Sequence, residues 1–302
     1  MIILDNREEK IMSLTDIKKL NNHVKGILCI IAAAAGFSFM TFFVRISGDL
    51  PTMQKVFFRN AVALVIAIIT LVMSGEKFRI EKRNRVDILM RCLFGTSGVI
   101  GNFYAIDRLD LSDANMLNKL SPFFAIIMSI PILKEKPSKT DVGATIIAFI
   151  GALFIIRPTG SNLQLIPALA GLYGGFGAGM AYVFVRKLGK KGERTPIIVM
   201  CFSFFSCLVS LPFLILDYHH MEPKQLLCLV AAGGAAAVGQ FGITSAYKFA
   251  PAKDISVFDY TQVIFAALWG ILFLNEIPVT LSIIGYVIII GVAVYRWHKA
   301  RK

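Results

Sequence analysis

The chain has 302 residues, of which 56% are hydrophobic and 17% are charged, and its formal net charge is +13. A soluble domain carries about a quarter charged residues. This composition, with several runs of about 20 apolar residues, excludes a soluble globular protein and predicts an all-α membrane protein. The basic residues lie between the apolar runs, as in cytoplasmic loops, so we expect no nucleic-acid partner.

The first 23 residues are polar and basic, and they predict a cytoplasmic N-terminal tail rather than a signal peptide. Ten apolar runs follow and predict ten membrane-spanning helices joined by short connections. The predicted spans one to ten are residues 25–46, 53–73, 88–107, 113–133, 139–156, 165–187, 196–216, 224–248, 254–274 and 280–298.

Lysine and arginine residues predict the orientation of these spans. With the N-terminus in the cytoplasm, 24 of the 32 fall on the cytoplasmic side, five on the outer side and three within spans. Cytoplasmic loops are enriched in both residue types. We therefore expect a multi-pass protein of the bacterial cytoplasmic membrane with both termini in the cytoplasm.

The two halves of the sequence repeat at an offset of 141 residues. Asp113–Pro137 aligns without a gap on Asp254–Pro278, and Gly36–Arg45 aligns on Gly177–Arg186. Each half has five spans, an odd number, so the second half would enter the membrane from the opposite side. This pattern predicts two inverted-topology five-helix repeats, residues 24–157 and 165–298, around a central cavity.

Five short motifs lie in or beside the predicted spans: FFRN at 57–60, LSDANML at 111–117, LSPFF at 120–124, LKEKP at 133–137 and LNEIP at 274–278. Together with the ten spans and the repeat, they resemble the EamA branch of the drug/metabolite transporter superfamily over residues 25–298. The resemblance implies a cavity lined by spans 1, 3, 4, 6, 8 and 9. It implies no single substrate, since members carry amino acids, S-adenosylmethionine, nucleotide sugars, riboflavin or drugs.

Two charged residues within apolar spans are the leading candidates for substrate binding, because a charge in a span is costly unless it faces a polar interior. Lys119 shares a helical face with Asn115 and Asn118, which predicts cavity lining, with snorkelling to the interface as the alternative. Asp259, beside Tyr260, would bind a cationic group or carry a proton, or else pair with a basic residue at the inner end of its span.

On straight helices, Lys119 would lie about 9 Å from the outer face and Asp259 about 8 Å from the inner face. In a hydrocarbon core about 30 Å thick, their backbones would differ in depth by roughly 13 Å. We therefore expect no direct bridge between them. An elongated zwitterion would touch both, with its carboxylate at Lys119 and its amine at Asp259, or each charge would belong to a different gate.

Other residues of the spans are further candidates for the binding site. Arg59, in the outer third of span two, is predicted to be an anchor at the outer mouth, with snorkelling as the alternative. Polar lining is expected on spans three and eight from Asn102, Tyr104, Gln240 and Thr244. Phe39, Tyr182 and Trp269 would stack on a planar substrate, or would pack between helices as most aromatic residues in spans do.

These observations predict a secondary transporter that moves a small organic solute by alternating access. A lysine with an aspartate favours an amino acid or a related zwitterion or amine, such as S-adenosylmethionine. Cationic drugs and riboflavin-like vitamins are alternatives. A membrane-embedded enzyme is a distant one, because HExxH, GxSxG and P-loop motifs are missing from the sequence. We expect no cofactor, metal or obligatory protein partner, a monomer or homodimer in the lipid bilayer, and possible coupling to protons or solute exchange.

Overall fold

The computed structural model describes residues 22–75, 79–134, 138–156, 164–250 and 255–300, and within these ranges it contains helices and no β-strand. The predicted all-α membrane fold is confirmed. Residues 1–21, which make up nearly all of the predicted N-terminal tail, lie outside the described ranges.

The α-helices in chain order are α1 (Asn22–Ile46), α2 (Thr52–Met73), α3 (Arg85–Ile106), α4 (Leu111–Asn118), α5 (Ser121–Leu133), α6 (Lys139–Ile156), α7 (Leu165–Lys190), α8 (Thr195–Leu216), α9 (Pro223–Phe249), α10 (Thr261–Trp269) and α11 (Thr280–Ala300). Eight predicted spans are single helices within a few residues of their predicted bounds. Spans four and nine are divided. Span four consists of α4 and α5, and span nine consists of a 3₁₀ turn (Ser256–Tyr260), α10 and a π-helical turn (Gly270–Leu274).

Eight segments of the described chain are long and apolar enough to cross a membrane. The two remaining long helices, α3 and α6, are not among them. Helix α3 carries Arg91 and Asn102 within its length, and the fold buries both side chains. The polar character of α3 therefore belongs to the interior of the bundle rather than to its lipid-facing surface.

Glycine residues allow close approaches between helices, among them α1 against α9 and α3 against α7. A Cβ atom added to Gly36 of α1 would lie 2.8 Å from the Ala235 carbonyl oxygen of α9. The offset of 141 residues converts this pair into Gly177 and Phe94, and a Cβ on Gly177 would lie 2.7 Å from the Phe94 carbonyl oxygen. Small residues at such contacts let helix backbones approach one another closely.

A second glycine pair follows the same exchange of halves. A Cβ on Gly101 would lie 2.7 Å from the Ala170 carbonyl oxygen, and a Cβ on Gly242 would lie 2.8 Å from the Cys29 carbonyl oxygen. Each of these four residues is 141 positions from its counterpart. Exchanging each residue with the one 141 positions away therefore maps the α3–α7 contacts onto the α9–α1 contacts, which supports the repeat. Opposite insertion of the two halves in a membrane remains a prediction.

We predict that Gly36→Ala and Gly177→Ala each destabilise the purified protein by about 1–3 kcal/mol, the usual effect of overpacking. Alanine ordinarily stabilises a helix by roughly 0.5–1 kcal/mol relative to glycine. A loss of stability on substitution would therefore indicate the close backbone contact. Thermal unfolding in detergent measures it. Gly234→Ala in α9 is the control, because nothing lies within 4 Å of its added Cβ. Equal stability of Gly36→Ala and Gly234→Ala would contradict the α1–α9 packing.

Candidate functional site

The helices of spans four and nine are interrupted at equivalent positions. Helix α4 ends at Asn118 and α5 begins at Ser121 with Pro122 in its first turn. Proline has no backbone N–H and favours the start of a helix over its interior, so the break falls just before it. In the second half the 3₁₀ turn ends at Tyr260 and α10 begins at Thr261, within one residue of the equivalent position.

Lys119 and Asp259 lie at these two breaks and form a buried ion pair. Lys119 Nζ is 2.7 Å from Asp259 Oδ1, and the two side chains are 2% and 0% exposed. The expectation that they would not meet is therefore wrong. It assumed straight helices with full rise per residue and compared backbone depths alone, whereas both residues lie where the helices are broken, and the lysine side chain adds reach.

Amide groups join the two breaks beside the ion pair. Gln262 Nε2 donates to Asn115 Oδ1 at 2.5 Å, and Asn115 Nδ2 donates to the Leu111 carbonyl oxygen at 2.7 Å and to Thr41 Oγ1 at 3.3 Å. Neither carboxylate oxygen of Asp259 receives a well-aligned hydrogen bond from the described residues. The contact of Asp259 with Lys119 is therefore chiefly electrostatic, and the amides hold the segments that carry it.

A cavity beside the ion pair contains about 550 Å³ of space, including its open part. The expected spans 1, 3, 4, 6, 8 and 9 all contribute to its wall, and spans two and seven add Arg59 and Phe202. Its polar lining residues are Arg59, Arg91, Asn102, Asn118, Lys119, Tyr182, Gln240 and Gln262. An apolar cavity with a few converging polar groups is typical of a small-molecule site.

The structure brings six of the residues proposed from sequence to this cavity: Arg59, Asn102, Asn118, Lys119, Tyr182 and Gln240. Four others are buried without lining it: Asn115, Thr244, Asp259 and Tyr260. Of these, Asp259 and Asn115 contact the lining residues Lys119 and Gln262 directly. The part that each plays in binding remains a prediction.

Three proposed residues are not brought to the cavity. The Arg108 guanidinium covers Tyr104, with Cζ 3.8 Å from the ring centroid. Phe39 and Trp269 pack on each other at a centroid distance of 5.0 Å, and Phe39 is 42% exposed. Trp269 Nε1 donates to a serine of α1 at 2.8 Å. Phe39 and Trp269 thus join α1 to span nine, which is the packing alternative stated for them above.

Sequence reasoning did not propose Arg91, Gln262 and Phe202, which also line the cavity. Arg91 Nη2 donates to Gln240 Oε1 at 2.9 Å, and Arg91 Cζ lies 4.2 Å from the Phe202 ring centroid. The criterion that identified Lys119, a charge within an apolar span, would also have identified Arg91. Gln262 lies one helical turn after Asp259, but Phe202 has no distinguishing sequence signal.

Comparison with known proteins identifies related transporters. Residues 24–157 and 165–295 each match the EamA-like transporter family. A pseudopaline exporter of Pseudomonas aeruginosa is 31% identical, over 88% of this chain and 93% of its own. Human solute carrier family 35 member G1 is 25% identical, over 92% of this chain and 81% of its own.

The fold also matches a solved structure. A crystal structure with 17% sequence identity has a TM-score of 0.69 and covers 92% of this chain and 98% of its own. Because the family match covers both halves and more than half of the chain, the chain belongs to the EamA-like transporter family and is a multi-pass membrane transporter rather than an enzyme.

Proposed function

We propose that the protein is a secondary transporter of the bacterial cytoplasmic membrane that moves a small organic solute bearing an amine and a carboxylate, as an amino acid or a related zwitterion does. The cavity is the proposed binding site, and alternating access is the proposed mechanism. The observation that carries the proposal is the Lys119–Asp259 ion pair, in which each half of the repeat supplies one charge at a helix break.

A buried ion pair contributes little net stability, because the cost of taking two charges out of water is close to the gain from their attraction. Removing one partner is costly, since it leaves an uncompensated charge. A zwitterion supplies both charges at once. Its carboxylate can replace Asp259 beside Lys119, and its amine can replace Lys119 beside Asp259, so the pair can open without leaving either charge alone.

Opening of the pair would remove the electrostatic contact between spans four and nine and leave the Gln262–Asn115 hydrogen bond between them. Solute binding would thereby weaken the attachment of one half to the other. At the predicted outer end, a second ion pair joins α1 to the end of span nine, and a hydrogen bond to the same carboxylate joins span four. Arg45 Nη2 lies 2.5 Å from Glu276 Oε1, and the Leu111 N–H donates to Glu276 Oε2 at 2.7 Å. Glu276 thus links α1, the start of α4 and the end of span nine, a set of contacts that would separate in an outward-open state.

The name of the Pseudomonas aeruginosa relative favours export as the direction of transport. The cavity disfavours a cationic drug as the solute, since Arg59 and Arg91 add positive charge to its wall. Both termini are proposed to lie in the cytoplasm, as the distribution of basic residues predicts.

We predict that neutralising one partner of the ion pair destabilises the protein by about 3–5 kcal/mol, and that neutralising both restores much of that loss. Lys119→Met, Asp259→Asn and the double variant are compared by thermal unfolding in detergent. The double variant is expected to unfold at a higher temperature than either single variant. A double variant no more stable than the weaker single variant would show that the two residues do not pair.

We also predict that proteoliposomes containing the protein show counterflow of at least one solute from a panel of radiolabelled amino acids with neutral, acidic and basic side chains. Lys119→Met and Asp259→Asn should each reduce that counterflow by about tenfold or more, the effect of losing roughly 1.4 kcal/mol. Phe39→Leu, at an exposed aromatic position away from the cavity, is the control and should retain it. Normal counterflow in both charge variants, or none for the whole panel, would contradict the proposal.

A further inference from the structure

Two arginine side chains in the cavity wall are buried without a carboxylate partner. Arg59 is 0% and Arg91 is 2% exposed, yet both line the cavity. Within the described residues, the ion pairs within 4.0 Å all involve other basic side chains. Lys119 differs from the two arginines, because Asp259 neutralises it. The wall of the cavity therefore carries a surplus of two positive charges.

The two guanidinium groups lie against the same aromatic ring. Arg91 Cζ lies 4.2 Å and Arg59 Cζ lies 5.8 Å from the centroid of the same Phe202 ring. Contact with the face of an aromatic ring stabilises a cation only modestly. It does not replace the anion that each of the two buried cations needs, since a buried charge without a partner is strongly unfavourable.

Both arginines retain donors that no described protein group accepts. Arg91 Nε has no hydrogen-bond partner, and Arg91 Nη2 donates to Gln240. Arg59 Nη1 donates to Asn60 Oδ1 at 2.5 Å, and its Nε contacts Met40 Sδ at 3.3 Å. A guanidinium group has five N–H donors in a planar fork that fits a carboxylate in two-point contact. Each fork therefore has donors left for an acid group in the cavity.

The Arg91 guanidinium occupies space that is open because residue 95 is a glycine without a side chain. A Cβ at Gly95 would collide with Arg91 Nη1 and would lie 2.9 Å from Cε2 of Phe202. The backbone of α3 thus leaves space for the arginine head beside the ring. A single methyl group added at this position would displace the head without changing the charge of the cavity.

We propose that the transported solute carries at least two carboxylates beside its amine: one faces Lys119 as the ion pair opens, and at least one more is bound by Arg59 and Arg91. The inference rests on the proposed function, which it deepens by naming the charge class of the solute. The two guanidinium forks suit the further planar carboxylate, while Asp259, buried outside the cavity wall against Lys119, suits the amine once the ion pair opens. A solute with one carboxylate, placed at Lys119, would leave both arginines without an anion.

Binding to purified protein tests the inference without requiring transport. The probes are aspartate, glutamate and 2-aminoadipate, whose carboxylates are separated by increasing distances. Glutamine is the matched probe with one carboxylate, glutarate lacks the amine, phosphoserine carries a phosphate, and sodium sulfate is an inorganic anion. We expect at least one of the three dicarboxylate amino acids to raise the unfolding temperature of the wild-type protein, and glutamine to bind at least about tenfold more weakly.

The variants locate that binding. Arg59→Gln, Arg91→Gln and Gly95→Ala should each weaken dicarboxylate binding by about tenfold or more, the effect of losing a hydrogen bond to a charged group. Arg108→Gln, at the exposed arginine over Tyr104, is the matched control and should bind as the wild type does. Without ligand, Arg59→Gln and Arg91→Gln should be at least as stable as the wild type, because each removes a repelling buried charge; a merely structural arginine would lower stability.

Four results would overturn the inference: no binding by any of the three dicarboxylate amino acids, equal binding of glutamine and glutamate, stabilisation by phosphoserine or sulfate alone, or unchanged binding in the arginine variants. Failure of the proposed function looks different. Arginine-dependent binding without counterflow would leave the dicarboxylate site standing and remove transport of that solute. Counterflow of a monocarboxylate amino acid that does not depend on Arg59 and Arg91 would leave the transporter standing and remove the dicarboxylate site.

Discussion

The ion pair between Lys119 and Asp259 is the interaction on which the centre of this protein depends. Each charge is buried, and neither is tolerable alone in an interior of low dielectric constant. Each charge comes from a different half of the repeat and lies at a break in its span. The same contact therefore neutralises both of these charges and joins span four to span nine.

The helix contacts around this pair repeat between the two halves of the chain, but the charged residues of the ion pair and the cavity do not. Glycine contacts of α1 with α9 repeat in α7 with α3 at matching positions. The charges of the ion pair do not repeat, since Lys119 corresponds to Tyr260 and Asp259 corresponds to Asn118. Arg59 and Arg91 correspond to Met200 and Ala232. The repeat thus provides two related packings, and the first half provides the cations that give the cavity its charge.

Much of this arrangement follows from the sequence, because long apolar runs and a fixed offset are strong signals for membrane helices and repeats. The ion pair could not be predicted from the sequence. The depths of Lys119 and Asp259 were estimated from a constant rise per residue, which does not hold where a helix is broken. Pro122 marks one break, whereas Val263 at the equivalent position gives no such signal. Arg91 satisfied the rule that identified Lys119, but Phe202 is one of 24 phenylalanines, and tertiary packing alone brings its ring to Arg59 and Arg91.

Exchange of the two charges tests the central claim most directly. In the double variant Lys119→Asp with Asp259→Lys the pair is reversed but kept, whereas each single reversal buries two like charges together. The account predicts that the double variant unfolds at a temperature close to that of the wild-type protein and well above that of either single reversal. A double variant as unstable as the single reversals would show that the two side chains do not hold the halves together.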